Sequence, residues 1–189
     1  MKTLRFTLAI LCVLGMTACG SLLSSINVDT IADNPGERTL AQIIEDDNIE
    51  TKVTVNIHAE NKAYHHDHFA VVSYNGYVLL VGQVQTAALK SGATNVVREV
   101  AEVRRIYNEL EIGPPTSAAT RTKDAWITTK VKSKLMGSEE IESGRVKVVT
   151  ENGVVYLMGM LTRKEADFVA EKAADSGVKR VVKIFEIVD

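Results

Sequence analysis

The sequence predicts an α+β protein built from two tandem copies of one αββαβ unit. Each copy has two helices packed on one face of a three-stranded mixed sheet. Three observations predict this. First, the chain repeats itself: Val71-Val72-Ser73-Tyr74-Asn75-Gly76-Tyr77-Val78-Leu79-Leu80-Val81-Gly82 reads like Val148-Val149-Thr150-Glu151-Asn152-Gly153-Val154-Val155-Tyr156-Leu157-Met158-Gly159, 77 residues on. Matches lie on both sides in the same order. Thr51-Lys52-Val53 recurs as Thr129-Lys130-Val131, and Val103-Arg104-Arg105-Ile106 as Val178-Lys179-Arg180-Val181, so the spacing marks a duplicated domain. Second, each copy places Asn-Gly between apolar, β-branched runs, a strong short hairpin signal because both turn residues must adopt positive φ. Third, apolar residues recur at helical spacing before each hairpin.

In the first copy, Ile49, Val53 and Ile57 fall at i, i+4 and i+8 on one helical face. The Asn75-Gly76 hairpin follows. The pattern turns helical over 87–100, and 106–112 reads as the closing strand. In the second copy Ile127, Val131 and Leu135 repeat the stripe, and Asn152-Gly153 repeats the turn. A helix follows over 163–174, where Thr162 with Glu165 forms a capping box, and a strand follows over 181–188. Gly82 and Gly159 sit at the ends of apolar strands, where a missing side chain allows close backbone approach. At about 70 residues each copy is of marginal but workable size for independent folding. Pro114-Pro115-Thr116-Ser117 opens a segment of linker composition.

The domain organisation follows: 1–18 a lipoprotein signal peptide, 19–38 a lipidated N-terminal linker, 39–113 the first copy, 114–120 a linker and 121–189 the second. Lys2 and Arg5 precede an apolar stretch from Phe6 to Met16, which has signal-peptide form. Met16-Thr17-Ala18-Cys19 looks like a bacterial lipobox, in which Cys19 is acylated and becomes the first mature residue. An ordinary secretory peptide cleaved near Ala18 is the alternative. On the lipobox reading Cys12, the other of the 2 cysteines, leaves with the signal, so the fold contains no disulfide.

The chain carries 22 Lys+Arg against 24 Asp+Glu, for a net charge of −2, with 46% hydrophobic and 5% aromatic residues. Near-neutrality disfavours a nucleic-acid binder, which carries a basic surplus. Loss of the signal removes two cations and leaves a net charge of −4. No Gly-x-Ser-x-Gly, His-Glu-x-x-His, Gly-x-x-x-x-Gly-Lys or Gly-x-Gly-x-x-Gly occurs, so no enzymatic activity and no cofactor are expected. All 4 histidines, His58, His65, His66 and His68, lie in the first copy. A His-His-x-His cluster can ligate zinc or nickel. Without cysteine or paired carboxylates at ligand spacing, it reads as a solvated loop, and no metal site is expected.

The two copies differ in charge. Glu45, Asp46, Asp47 and Glu50 make the first helix acidic. The second carries Arg121, Lys123, Lys130, Lys132 and Lys134 against Asp124 alone. The single Trp of the chain, Trp126, stands off the core stripe with Lys130 and Lys134 at i+4 and i+8, where the first copy has Asn48. An indole beside ammonium groups suits the headgroup layer of an anionic bilayer. The other reading packs Trp126 on the sheet with the lysines as a solvated face, because large aromatics are mostly buried.

The Asn-Gly hairpin, the strand ending in glycine and a helix carrying Asp124-Ala125-Trp126-Ile127-Thr128-Thr129-Lys130-Val131 resemble the bacterial osmotic-stress and nodulation (BON) domain. Lipobox, linker and two such units resemble the dual-BON outer-membrane lipoproteins of Gram-negative bacteria. That resemblance implies the αββαβ fold, with a small extra strand before the first copy, within 38–47. It implies a non-enzymatic protein anchored on the periplasmic face of the outer membrane through Cys19. It further implies that the helix edge of Trp126, Thr129, Lys130, Ser133, Lys134 and Met136 binds anionic phospholipids, phosphatidylglycerol or cardiolipin, in support of envelope integrity and at the division site. The alternative function is a periplasmic adaptor for envelope proteins such as the outer-membrane β-barrel assembly machinery.

Overall fold

The computed structural model describes residues 36–188. The signal segment, Cys19 and the rest of the N-terminal linker up to residue 35 lie outside the described residues.

The first helix, α1, spans Leu40–Glu60 and starts at a capping box: the Thr39 hydroxyl accepts from the Gln42 N–H while the Gln42 side chain accepts from the Thr39 N–H. This corrects the expected extra strand within 38–47. A turn at residues 36–39 leads straight into α1, because the capping pair commits the backbone to helix at that point. Ile49, Val53 and Ile57 are buried as the stripe predicts. A short 3₁₀ turn, Lys62–His66, leads into β1 (His68–Tyr74), β2 (Tyr77–Val84), α2 (Ala87–Arg98) and β3 (Arg105–Ile112). The second copy repeats the order as α3 (Ala118–Met136), a 3₁₀ turn (Ser143–Arg145), β4 (Val146–Glu151), β5 (Val154–Leu161), α4 (Arg163–Ala174) and β6 (Arg180–Ile187).

Each copy forms its own three-stranded sheet, with the middle strand antiparallel to its hairpin partner and parallel to the strand after the crossover helix. Both turns have positive φ at both residues, 50° and 73° at Asn75-Gly76 and 49° and 77° at Asn152-Gly153, which matches the twist of the flanking strands. The Thr162–Glu165 capping box forms as read. Gly82 and Gly159 lie within β2 and β5 rather than at their ends. A Cβ on Gly159 would stand 2.7 Å from the Arg145 carbonyl oxygen, and one on Gly82 would overlap the His68 carbonyl, so the close approach is real.

The two copies pack together. Alternate residues of β2 (Val78, Leu80, Val84) face α1 and α2, and those of β5 (Val155, Leu157, Leu161) face α3 and α4. The opposite faces meet each other: Val72, Tyr74, Leu79 and Val81 pack with Val154, Tyr156, Met158 and Ile184 in one buried cluster. The architecture is four layers, helices–sheet–sheet–helices, and both copies fall within one compact unit. A copy of workable size for independent folding thus shares a core with its neighbour here, and separating the two would expose a second apolar sheet face. The signal was present in the sequence. Val78–Val81 and Val154–Met158 are continuously apolar instead of alternating, as strands buried on both faces are.

Polar contacts around this core follow an approximate two-fold relation. The Asn75 amide donates to Glu186 at 2.7 Å and the Asn152 amide to Glu111 at 3.1 Å, equivalent pairs in the repeat. Arg104 adds a two-pronged bond to Glu186, at 2.7 and 2.9 Å. Lys147 reaches Glu50 at 2.7 Å.

Candidate functional site

The two first helices are equivalent in the repeat, yet their outer faces differ. In α3, Ile127, Val131 and Leu135 are buried, and so is Asp124. Trp126 is 60% exposed and Met136 73% exposed, so Trp126 does not pack on the sheet. Large aromatics go inside when a core position is available, and here the stripe beside Trp126 is already filled by Ile127 and Val131. Trp126, Thr129, Ser133 and Met136 fall at i, i+3, i+7 and i+10, a single outward ridge on a helix of 3.6 residues per turn. It runs about 15 Å at 1.5 Å per residue. Thr129 is tied to its own helix through the Ala125 carbonyl. The neighbouring Thr128 pins α3 to β4 by donating to Thr150 at 2.7 Å.

The lysines of the ridge are engaged. Lys130 places its ammonium 5.0 Å from the centre of the Trp126 ring and donates to the Ser176 carbonyl at 3.1 Å. Lys134 donates to the Asp175 carbonyl at 2.8 Å. These carbonyls follow the C-terminal end of α4, where cations are favoured. Lys130 therefore does two things at once: it braces the two helices together and sets a charge over the indole. Arg121 donates to the Thr116 carbonyl. Lys123 and Lys132 are exposed and make no hydrogen bond or ion pair among the described residues.

Asp124 does not offset this charge at the surface, as its place in the count suggested. It is 4% exposed, and its carboxylate accepts from the Asn152 and Gly153 N–H groups, both at 2.8 Å. Asp46 plays the same part in the first copy, accepting from Asn75 N–H at 2.8 Å and Gly76 N–H at 3.0 Å, with Ser73 Oγ at 2.6 Å and Arg38 at 2.7 Å in addition. Burial alone would raise the Asp46 pKa. The hydrogen bonds from Gly76, Ser73, Arg38 and Asn75 outweigh it and hold the carboxyl below the usual carboxylate range. The two clasps are 78 residues apart, a repeat spacing that would have identified them.

Two of the four histidines come together. His58 stacks on His65 at 4.8 Å, His68 lies 3.8 Å from Glu151, and no group of three or more His, Cys, Asp or Glu side chains that could hold a metal occurs among the described residues. No helix of the described residues is long and apolar enough to cross a membrane.

The BON domain signature matches residues 45–114 and again 123–189. The chain belongs to the BON-domain family. The outer membrane lipoprotein DolP of Haemophilus influenzae is 36% identical over 179 residues, covering 94% of this chain and 89% of that protein. A 21 kDa hemolysin of Actinobacillus pleuropneumoniae is 36% identical over 152 residues, covering 80% and 78%. Osmotically-inducible protein Y of Escherichia coli K12 is 24% identical over 173 residues, covering 87% and 86%. With two BON domains and identity to DolP across nearly its whole length, the chain is a dual-BON lipoprotein of the DolP type, associated with the outer membrane.

Proposed function

We propose that this protein is a non-enzymatic lipoprotein, anchored through Cys19 on the periplasmic face of the outer membrane. Its second BON domain binds anionic phospholipids, phosphatidylglycerol or cardiolipin, along α3 and thereby supports envelope integrity, including at the division site. The observation that carries this reading is the exposure of Trp126 and Met136 on one ridge of a cationic helix whose apolar stripe is already buried. An indole at headgroup depth and a flexible thioether at the other end suit shallow insertion. Lysines near an anionic surface contribute on the order of 1 kcal/mol each. The acyl anchor raises the local concentration of a contact that is weak by itself. The experiment is flotation of the chain from Gly20 onward with vesicles. Binding to phosphatidylglycerol vesicles above binding to phosphatidylcholine vesicles, abolished by Trp126→Glu, is the expected result. Equal binding to both, or no effect of Trp126→Glu, ends the lipid reading.

A second reading, an adaptor for envelope proteins such as the β-barrel assembly machinery, is favoured by a different face. Leu40, Ile43, Ile44 and Val55 are exposed along α1, beside the exposed acidic residues Glu45 and Asp47. An anionic membrane would repel that surface. Crosslinking from Ile44 in intact envelopes tests it: capture of one defined protein supports the adaptor role, and capture of none removes it.

A further inference from the structure

Lys134 and Lys132 are two residues apart in sequence, and they open onto different surroundings. Lys134 and Lys172 line a hollow of about 490 Å³ together with Glu139, Glu140 and Asp175; the Lys134 ammonium is held on the Asp175 carbonyl, and that of Lys172 lies 5.1 Å from the centre of the Phe168 ring. A phosphate entering there meets three carboxylates against two cations, both already engaged. Lys132 lines a separate notch of about 230 Å³ between the end of α3 and the 3₁₀ turn, with Leu135, Met136, Ser143, Gly144 and Val146. No carboxylate lines this notch, and Lys132 has no partner among the described residues.

We propose that this notch, and not the Lys130–Lys134 edge, receives the phosphodiester of one anionic phospholipid. The inference rests on the lipid reading above and assigns its headgroup contact. Lys132 supplies the cation and the Ser143 hydroxyl a donor. Gly144 leaves room for the phosphate, since nothing stands within 4 Å of where a Cβ would be. Leu135, Met136 and Val146 provide an apolar floor for the glycerol end of the acyl chains. The notch continues the Trp126–Met136 ridge, so a lipid seated in it belongs to the bilayer that the ridge enters. The turn that carries Ser143 and Gly144 is anchored just beyond them: Arg145, its last residue, is bonded to Glu165 at 2.6 and 3.2 Å and to the Met160 carbonyl at 2.9 Å. A turn held in this way has less ordering to undergo on binding. Lys130 and Lys134 act as positioning residues that brace α3 against α4.

Trp126 is the single Trp, so its emission reports on the full lipidated chain without a label. The chain is reconstituted in nanodiscs of phosphatidylcholine containing increasing phosphatidylglycerol, and the fraction giving half the blue shift is read. Lys132→Gln is expected to raise that fraction about fivefold, the factor that one lysine near an anionic surface contributes, and Lys132→Arg to restore it. Lys134→Gln is expected to leave it within twofold while lowering the unfolding temperature. An unchanged midpoint in Lys132→Gln, or a larger shift in Lys134→Gln than in Lys132→Gln, overturns the assignment while leaving lipid binding intact. Absence of any phosphatidylglycerol-dependent blue shift in the unmodified chain removes the lipid reading itself.

Discussion

Replacing Asp46 by Ala should cost more stability than replacing Asp124 by Ala, although the two occupy the same place in the repeat. Asp46 is 1% exposed and satisfies four donors: the Asn75 and Gly76 N–H groups, the Ser73 hydroxyl and the Arg38 guanidinium. Asp124 accepts from two donors among the described residues, the N–H groups of Asn152 and Gly153. A buried donor left without an acceptor costs about 1–3 kcal/mol, more where a charge is involved. Arg38 recovers part of its loss, because it stacks over the Tyr74 ring at 3.8 Å and can turn toward water. The expected losses are about 4 kcal/mol for Asp46→Ala and about 2–3 kcal/mol for Asp124→Ala. Asp46→Asn should rescue little, since its amide NH₂ would face groups that themselves donate. Urea unfolding followed by far-UV circular dichroism measures all three, with the slope unchanged if only stability moves. An Asp46→Ala loss below about 1 kcal/mol, or one smaller than that of Asp124→Ala, refutes the reasoning that these carboxylates clasp the hairpins.

Further outcomes follow from the same geometry. Leu79→Ala, in the core between the sheets, should lower stability by about 2–5 kcal/mol. It should do so in a single unfolding transition that covers both copies, as calorimetry would show. Gly82→Ala should destabilise by at least about 2 kcal/mol, because φ is +120° there and a Cβ would overlap the His68 carbonyl; thermal melting reads the loss. The hydrogen bond from Arg104 lowers the Glu186 pKa against the opposing effect of burial, with help from Asn75. A depressed native pKa gives stability that is present above the unfolded value, about 4.3 for Glu, and lost as pH falls through the native one. Stability should therefore hold from neutrality down to about pH 5 and decline below about pH 4. In Glu186→Gln, acid titration should show lower neutral stability and a shallower decline.

Most of the fold was legible in the sequence because it is locally encoded. The Asn-Gly turns fix the hairpins through their positive φ, the i, i+4, i+8 stripes fix the buried helix faces, and Thr162 with Glu165 sets the start of α4. Where the expectation failed, a local signal was overlooked or a distant one was needed. Thr39 and Gln42 form a capping box at the place where an extra strand was expected. Asp46 and Asp124 were counted as surface charge because a carboxylate's partners are invisible when they lie 28–30 residues away on a hairpin.

The sequence by itself determined the duplication, the αββαβ order, the cationic character of α3 and the presence there of the single Trp. Tertiary structure alone decided that the two sheets bury their second faces against each other, which makes two repeats one unit. It also decided that Trp126 points outward. Of the five cations on α3, it distinguished those committed to carbonyl groups from those left to solvent. The physical reason is the same in each case. Periodicity tells which side of an element is apolar, but only the packing of elements tells which of its sides finds a partner.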